Sequence, residues 1–325
     1  MRRIGLAAFL VAASVFAQNN RSAVSLTGND SASCTVPDPC RTFDVAISKT
    51  NAGGEVIVLS SAGYGPFTVT KSVSIISPPA YHAAMAPTSG DAITINVDNA
   101  LVVLRGLTLN GSLGGVNGIT FTGAATTSNT RVYGENCVIS GFSNNGVNFA
   151  RNGTLFVSEL IARENSIAIF VDGNSTLPSS ASIDHALMER SNVGLQVENA
   201  TVTIRNSVAA DNMSFGLWAR ASVPGGTADL SADNCQASHN TLGFASGAGA
   251  GTARLMVSNS VASSNVNEGI AVESNGTARA SNNTVTRNGT GFAQFGSGVF
   301  RSRGNNSVDG NTTETFGTIT TFGPM

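Results

Sequence analysis

The sequence predicts an all-β fold, a parallel β-helix built as a single solenoid, and three observations lead to that prediction. A motif recurs along the second half of the chain, in which an Asn, a small residue and an apolar residue precede a second Asn and a Gly. One copy contains Asn206, Asn212 and Gly216, and the Gly residues of successive copies lie 22 to 28 residues apart, the length of one solenoid coil. The 36 Gly, with many Asn, Ser and Thr, are typical of short turns between many short strands.

The third observation is a set of apolar positions that defines three short sides of each coil. Period-two alternation after the Gly points these residues inward: Ile119, Phe121, Val147, Phe149, Leu195, Val197, Ile270 and Val272. A second strand precedes the first Asn and places these residues inward: Val157, Ile183, Ile204 and Val257. A third inward position is predicted two residues after that Asn: Val138, Ile161, Leu187, Val208, Val261, Val285 and Val308. Three sides of this kind predict a triangular coil.

Asn residues are predicted to line two of the bends between strands. A bend leaves backbone groups that no strand pairing satisfies, and an Asn side chain supplies both a donor and an acceptor. Asn also tolerates the left-handed backbone conformation that a sharp bend needs. One predicted stack contains Asn165, Asn212, Asn240, Asn265, Asn288 and Asn311. The other predicted stack contains Asn136, Asn206, Asn234, Asn259, Asn283 and Asn306.

The first 17 residues are predicted to form a secretory signal peptide. Arg2 and Arg3 supply the charged start, an apolar run extends over residues 6–15, and Ala17 ends a small-residue cleavage site. No later segment contains enough continuous apolar residues to span a membrane. We therefore expect an exported protein without a membrane span, placed outside the cell, at the surface of a bacterium or in the periplasm.

Residues 18–54 are predicted to form an N-terminal segment that precedes a β-helix over residues 55–325. Cys34 and Cys40 flank a five-residue loop, and in an exported protein they are expected to form a disulfide. A helix over residues 42–49 is expected to cap the end of the solenoid core. Residues 81–90 are predicted to form a protruding loop. Cys137 and Cys235 share one repeat position and are interpreted as small residues that fill a tight slot.

The segment from Cys34 to Ile76, and the later stretch Asn136 to Phe142, carry a family resemblance. The first contains Pro-Cys-Arg-Thr-Phe at residues 39–43 and Gly-Tyr-Gly-Pro-Phe-Thr-Val-Thr-Lys-Ser at residues 63–72. The chain resembles exported bacterial right-handed parallel β-helix proteins of the pectate-lyase-like superfamily. That resemblance implies the right-handed β-helix fold, and it implies no specific activity.

Charge composition narrows the classes of partner. Net charge is −2, charged residues make up 12% of the chain and there is no basic stripe, so a nucleic acid partner is not expected. A polysaccharide or a cell-surface glycan is the partner that the fold suggests. No metal site or cofactor is predicted, and calcium would be expected only if the protein were a lyase, although adjacent coils show no acidic cluster for it. The sequence does not predict the oligomeric state.

Two clusters of outward residues are candidate sites, since one repeat position in adjacent coils brings side chains within about 4.8 Å. The first contains Glu189, Asp211 and His239, weak candidates for acid–base catalysis, together with Arg163, Glu164 and Arg190. Its alternating charges favour the structural interpretation, an exposed ladder of ion pairs. A further set, Asp184, Arg205 and Asp233, allows the same two interpretations.

The second cluster contains Gln196 and Glu198 beside Trp218 and Arg220 of the next coil. An exposed Trp among hydrogen-bonding groups is typical of a sugar-binding platform, and Trp218 is the single Trp of the chain. The alternative is a Trp packed under a loop beside a Glu198–Arg220 surface pair.

Two functions remain open on the sequence. The first is a non-catalytic structural, adhesive or glycan-binding surface protein, favoured by the scarcity of charged and aromatic residues. The second is a polysaccharide lyase or glycoside hydrolase with a non-standard active site. The second is suggested by the fold and by the group of Glu189, Asp211 and His239, and fold analogy by itself does not establish an activity.

Overall fold

A computed structural model describes residues 19–122, 129–173 and 179–323. These residues form 33 strands and one helix. The first part of the chain contains β1 (Asn19–Val24), α1 (Phe43–Lys49), β2 (Thr50–Val58), β3 (Ala62–Gly63), β4 (Phe67–Val69), β5 (Val73–Ile76), β6 (Ala83–Met85), β7 (Ile93–Ile95), β8 (Leu101–Arg105), β9 (Leu107–Asn110), β10 (Ile119–Phe121), β11 (Arg131–Glu135), β12 (Val138–Ser140), β13 (Asn145–Phe149), β14 (Thr154–Arg163) and β15 (Ile167–Asp172). The remainder contains β16 (Ser179–Glu189), β17 (Val193–Glu198), β18 (Ala200–Arg205), β19 (Val208–Ala210), β20 (Phe215–Ala221), β21 (Thr227–Asp233), β22 (Gln236–Ser238), β23 (Leu242–Ala248), β24 (Thr252–Ser258), β25 (Val261–Ser263), β26 (Glu268–Val272), β27 (Gly276–Ser281), β28 (Thr284–Thr286), β29 (Thr290–Gln294), β30 (Val299–Ser302), β31 (Ser307–Val308), β32 (Thr313–Phe316) and β33 (Ile319–Thr321).

The strands stack in parallel on three faces of one solenoid. Face 1 is an 11-stranded sheet that runs from β4 to β32. The other 22 strands belong to one sheet that bends into two faces. Face 2 includes the series β5, β8, β11, β14, β16, β18, β21, β24, β27, β30 and β33, and face 3 includes β9, β12, β19, β22, β25, β28 and β31. The predicted all-β parallel solenoid is confirmed.

The core runs along the axis between the three faces. Face 1 contributes one stacked row in register: Phe67, Ile93, Ile119, Val147, Ile169, Leu195, Leu217, Phe244, Ile270 and Phe292. Its members are buried, as are the inward residues that alternation predicts for faces 1 and 2. Each buried apolar side chain of this size contributes about 1.5–3 kcal/mol, so the row is a main source of stability.

On face 3 of most coils, the residue predicted to point inward does not, and the residue directly after it points inward instead. Ile139, Ala162, Met188, Ala209 and Ala262 are buried, and they are the residues directly after Val138, Ile161, Leu187, Val208 and Val261. The prediction was wrong by one residue because it counted inward positions from the wrong residue of the bend. Val285 is buried as predicted.

The reason lies at the bend between faces 2 and 3, where two columns of residues run side by side. Asn136, Asn206, Asn234, Asn259 and Asn282 form the outer column and have positive φ angles between 49° and 55°. The next residue of each coil points inward, and this inner column includes Cys137, Ser207, Cys235, Ser260, Asn283 and Asn306. The second predicted Asn stack therefore divides between the two columns, since Asn283 follows Asn282.

At the bend between faces 3 and 1, successive side chains are joined by hydrogen bonds along the axis. The backbone N–H of Asn212 donates to Oδ1 of Asn240 at 3.0 Å, and the backbone N–H of Asn240 donates to Oδ1 of Asn265 at 3.0 Å. The same bond continues to Asn288 and Asn311. Ser191 occupies the position between Asn165 and Asn212 and accepts the same kind of bond. Buried backbone donors of the bend are thereby satisfied.

The N-terminal end of the solenoid is covered by α1. Phe43, Ala46 and Ile47 of this helix are buried, and the ring of Phe43 lies 4.6 Å from that of Phe67, the first residue of the face 1 row. A disulfide joins Cys34 and Cys40 in the segment that precedes the helix. Parallel pairing already begins there, between β1 and β2.

The structure corrects the prediction for residues 81–90 and shows where the two free cysteines lie. Residues 81–90 do not simply protrude, because they include β6, whose Ala83 and Met85 are buried and which pairs with β9. Cys137 and Cys235 are free thiols buried in the inner column, and burial raises the pKa of each to about 11. Such thiols stay protonated at neutral pH and are unreactive.

Candidate functional site

An open groove of about 580 Å³ crosses face 1 near the C-terminal half of the solenoid. Its lining includes Trp218, Arg220, Leu242, Gly247, Glu268, Glu273 and Phe295. Gly247 pairs with Arg220 of the preceding coil, and Glu273 lies against it from the following coil. Because Gly247 has no side chain, the Glu273 side chain can lie over the middle coil, where a Cβ at Gly247 would be 2.6 Å from its Oε2. Gly247 thereby leaves room in the groove for the Glu273 carboxylate.

The Trp218 ring is fixed in place by its neighbours. It stacks on Phe215 with ring centroids 4.1 Å apart and an interplanar angle of 8°. The guanidinium carbon of Arg220 lies 5.1 Å from the centre of the Trp218 ring, within the range of a cation–π contact. Trp218 is half-buried, so part of its surface faces the groove. A rigid, partly exposed ring loses little conformational entropy when a ligand packs on it.

Arg220 is held by residues beneath the groove. One of its Nη atoms lies 3.2 Å from Oε1 of Glu198, and the other oxygen of Glu198 accepts a hydrogen bond from Ser222 at 2.7 Å. Gln196 donates its Nε2 to the same Oε1 at 2.6 Å. Gln196 and Glu198 are only 6% and 8% exposed. They therefore position Arg220, and of the four predicted ligand residues Trp218 and Arg220 line the groove.

Two carboxylates of the groove, Glu268 and Glu273, were missed in the sequence. Neither forms an ion pair with any residue that the structure describes. Burial, and secondarily the charge of Glu273, raises the pKa of Glu268 above its usual value. A sequence signal was available, because Glu273 follows Gly269 by four residues, as Arg220 follows Gly216.

Replacing Glu268 by Gln is expected to raise the melting temperature at pH 7. The folded-state pKa of Glu268 is raised, so folding favours the protonated acid, and wild type loses that stability as pH rises through the folded pKa. The gain should disappear below about pH 4, where the acid is protonated in both states. Thermal unfolding at both pH values measures it. The exposed Glu159→Gln serves as control, and an equal gain in both variants would contradict the assignment.

The first predicted cluster lies on the bend between faces 3 and 1, away from the groove. Glu164, Arg190, Asp211 and His239 stack in one column, as predicted, and each has a positive φ between 49° and 57°. Gly141 and Gly310 occupy the same column with φ near 75°. The column is a tight-turn position that these coils share, and Glu164, Arg190, Asp211 and His239 are exposed.

Ion pairs account for most charges of that bend. Arg190 lies 3.2 Å from Glu164 and 3.4 Å from Glu189, and Arg163 lies 3.9 Å from Glu189. Glu189 belongs to the strand before the turn and pairs with Ala210, so it is not in the column of Asp211 and His239. The arrangement fits an exposed ladder of ion pairs, each contributing about 0–1 kcal/mol.

The remaining predicted set shows the same kind of network on face 2. Arg205 lies 3.0 Å from Asp184, and Asn206 donates to the other oxygen of Asp184 at 2.8 Å. The Asn206 hydrogen bond, with help from Arg205, lowers the pKa of Asp184. Across the described ranges, no group of three or more His, Cys, Asp or Glu could hold a metal ion. No helix in the same ranges is long and apolar enough to cross a membrane.

Comparison with known protein families identifies the handedness of the β-helix. Residues 167–317 match the family described as "Right handed beta helix region", and they include the whole groove. The protein is a right-handed parallel β-helix. The right-handed β-helix fold that the resemblance implies is thereby confirmed. No curated protein sequence matches this β-helix.

Solved structures show how widely this β-helix is shared. The A-module of mannuronan C-5 epimerase AlgE6 of Azotobacter vinelandii superposes with a TM-score of 0.61 at 14% identity, over 87% of this chain and 95% of that one. An alginate lyase from Paenibacillus sp. str. FPU-7 gives 0.62 at 12% identity, over 86% and 99%. Pectate lyase Pel9A gives 0.52 at 16% identity, over 90% and 79%. At such identities the likeness establishes the fold.

Proposed function

We propose that this protein is an exported, non-catalytic β-helix that binds a glycan in the groove on face 1. The observation that supports the proposal best is Trp218, a rigid ring stacked on Phe215 at the wall of an open groove. Sugar rings pack their C–H faces on such aromatic surfaces. Structural neighbours named for action on mannuronan, alginate and pectate support a glycan as the ligand.

Size and polar lining fit that ligand class. A volume of about 580 Å³ lies within the range of small-molecule sites, which are about 300–1,000 Å³. Asn267 and Ser274 add hydrogen-bonding groups to the lining for sugar hydroxyls. Phe295, which is 36% exposed, adds a second aromatic side chain to the lining. An open groove across several coils suits part of a chain more than a small enclosed ligand.

Electrostatics set the expected charge of the sugar. The charge of Arg220 is balanced by Glu198, whereas Glu268 and Glu273 have no cationic partner among the described residues. The groove is therefore acidic in sum. A neutral or amine-bearing glycan is expected to bind more tightly than a polyuronate, which would be repelled by Glu273.

A polysaccharide hydrolase or lyase is the second candidate, and one observation favours it. Burial raises the pKa of Glu268, which shares the groove with Glu273, and a carboxyl group with a raised pKa can serve as a general acid. Turnover would be detected as reducing ends or as the absorbance of unsaturated products. Loss of that turnover in Glu268→Gln would replace the non-catalytic proposal by the enzymatic one.

Replacing Trp218 by Ala is expected to weaken binding by about 10- to 100-fold, since the ring supplies most of the apolar contact. Trp218→Phe keeps an aromatic surface and should retain most of the affinity. Titration calorimetry with neutral, aminated and uronate oligosaccharides measures both variants. Tyr81→Ala, an exposed aromatic residue far from the groove, is the matched control.

The outcomes separate the hypotheses. Equal binding by wild type and Trp218→Ala would show that the groove is not the glycan site. If none of the three glycan classes binds, glycan binding is rejected and a structural or adhesive role remains. Export remains part of the proposal, because the predicted signal peptide at residues 1–17 lies outside the described residues.

A further inference from the structure

Face 2 carries a pair of like charges in direct register near its C-terminal end. Arg279 of β27 pairs with Arg301 of β30, and both side chains point outward. Arg303 follows two residues later and is also exposed. Neighbouring parallel strands lie about 4.8 Å apart, and like charges directly opposite each other are destabilising. The position therefore costs stability unless something else interacts with the two guanidinium groups.

Four other arginines on the same face are matched by a carboxylate in the adjacent coil, and Arg131 of β11 has no ion pair with a described residue. Four such ion pairs occur: Arg21–Glu55, Arg105–Glu135, Arg205–Asp184 and Arg254–Asp229. Arg279, Arg301 and Arg303 have no ion pair with any described residue. Only at Arg279 and Arg301 does an arginine of this face lie directly opposite another arginine among the described strand pairs. Three unneutralised cations are left together on the surface.

A shallow groove of about 360 Å³ leads away from the pair along the same face. Arg279 lines it together with the Arg254–Asp229 ion pair, Met256 and the hydroxyl-bearing residues Thr201, Thr203 and Ser231. Hydroxyl groups on a flat surface can exchange hydrogen bonds with sugar hydroxyls, and Met256 offers an apolar contact to a ring. Cations at one end and hydroxyls along the floor thus belong to one continuous surface.

We propose that this surface of face 2 is a second binding site, specific for an acidic polysaccharide whose carboxylate or sulfate groups contact Arg279, Arg301 and Arg303. Guanidinium groups bind such oxyanions through paired hydrogen bonds. A single-stranded nucleic acid fits less well, because the described residues that line the surface include no aromatic ring for base stacking. The site lies on a different face from the groove of Trp218 and does not depend on the function proposed for that groove.

The test measures binding of polygalacturonate and of heparin to the full chain at two salt concentrations. Arg279→Gln combined with Arg301→Gln is expected to weaken binding of the preferred acidic chain by about tenfold and to reduce its salt dependence. Arg131→Gln removes a lone exposed arginine from β11 of the same face and should leave affinity unchanged. Trp218→Ala should also leave it unchanged. Removing the like-charge pair should not lower the melting temperature, so lost binding would not reflect unfolding.

Each outcome decides the matter. Preference for polygalacturonate assigns carboxylate as the recognised group, and preference for heparin assigns sulfate. Equal binding of neutral dextran, or no difference between the double variant and Arg131→Gln, would overturn the proposal. Tighter binding of single-stranded DNA or of phosphatidylserine vesicles, lost in the double variant, would overturn the polysaccharide as partner.

Discussion

Replacing Gly216 by Ala is expected to destabilise the protein by about 2–3 kcal/mol, because the new methyl group overpacks the junction between coils. A Cβ there would lie 2.6 Å from the carbonyl oxygen of Gly243 and 3.0 Å from Nδ2 of Asn240. That carbonyl belongs to the next coil, whose position is fixed by the parallel pairing of β20 with β23. The methyl group could be accommodated only by separating the coils and weakening the pairing.

The same contact explains why Gly recurs at this position. A Cβ would lie 2.4–2.9 Å from a carbonyl oxygen of the next coil at each of these residues: Gly118, Gly146, Gly194, Gly243, Gly269 and Gly291. Ala168 occupies the column in one coil, so a methyl group can be tolerated where the neighbouring coils are built around it. The coils on both sides of Gly216 carry glycine at this position, so they leave no room for an added methyl group.

Gly134→Ala is the matched control for that prediction. Gly134 is a strand glycine on face 2, and a Cβ added there would have no atom within 4 Å. Its substitution should be neutral or should stabilise by about 0.4–1 kcal/mol through the unfolded state. Chemical denaturation followed by circular dichroism compares the two variants. Equal destabilisation by both would contradict the contact between coils as the cause.

Asn240→Ala is expected to have the largest effect, a loss of about 4 kcal/mol, because it leaves several buried polar groups unpaired. Asn240 is fully buried, and its Nδ2 donates to the carbonyl oxygen of Ala209 and to Oδ1 of Asn265 at 3.0 and 3.2 Å. Its Oδ1 accepts from both the backbone and the side-chain nitrogen of Asn212 at 3.0 Å. Truncation removes these bonds and leaves a cavity at the bend.

Asn305→Ala provides the comparison, since Asn305 is exposed and accepts one hydrogen bond, from the backbone of Asn282. Its loss should cost less than about 1 kcal/mol because water replaces the bond. Urea denaturation of both variants measures the difference. Similar losses of stability in the two variants would mean that burial does not explain the stabilising effect of the Asn240 hydrogen bonds. A partial rescue by Asn240→Ser is expected, because Ser191 fills the same column in another coil.

The place of a residue in its coil, and whether its side chain points inward, could be predicted from the sequence where both depend on local patterns. Alternation identified the inward residues of face 1, such as Leu195 and Ile270, and the column of Glu164, Arg190, Asp211 and His239 was aligned correctly. The left-handed backbone of that column was not foreseen. Arg and Glu can occupy such a turn, so their residue type gives no warning of it.

Which residues of neighbouring coils lie side by side depends on the register between the coils. Turns of unequal length hide this register in the sequence. At Asn282 and Asn283 two neighbouring Asn belong to different columns, and the choice between them shifts a whole strand by one residue and reverses its inward side. Only the stacked structure made that choice, through the hydrogen bond from Ser260 to Asn283.

The sequence by itself determined the solenoid, its inward residues on two faces and two of the groove residues, Trp218 and Arg220. The tertiary structure decided that these two share a groove with Glu273, whose side chain lies over Gly247 of the coil between them. It also decided that Arg279 and Arg301 lie directly opposite each other without a carboxylate. The physical reason is that side-chain chemistry fixes a residue's place within its coil, whereas a site is made by neighbours from different coils and by the space they leave empty.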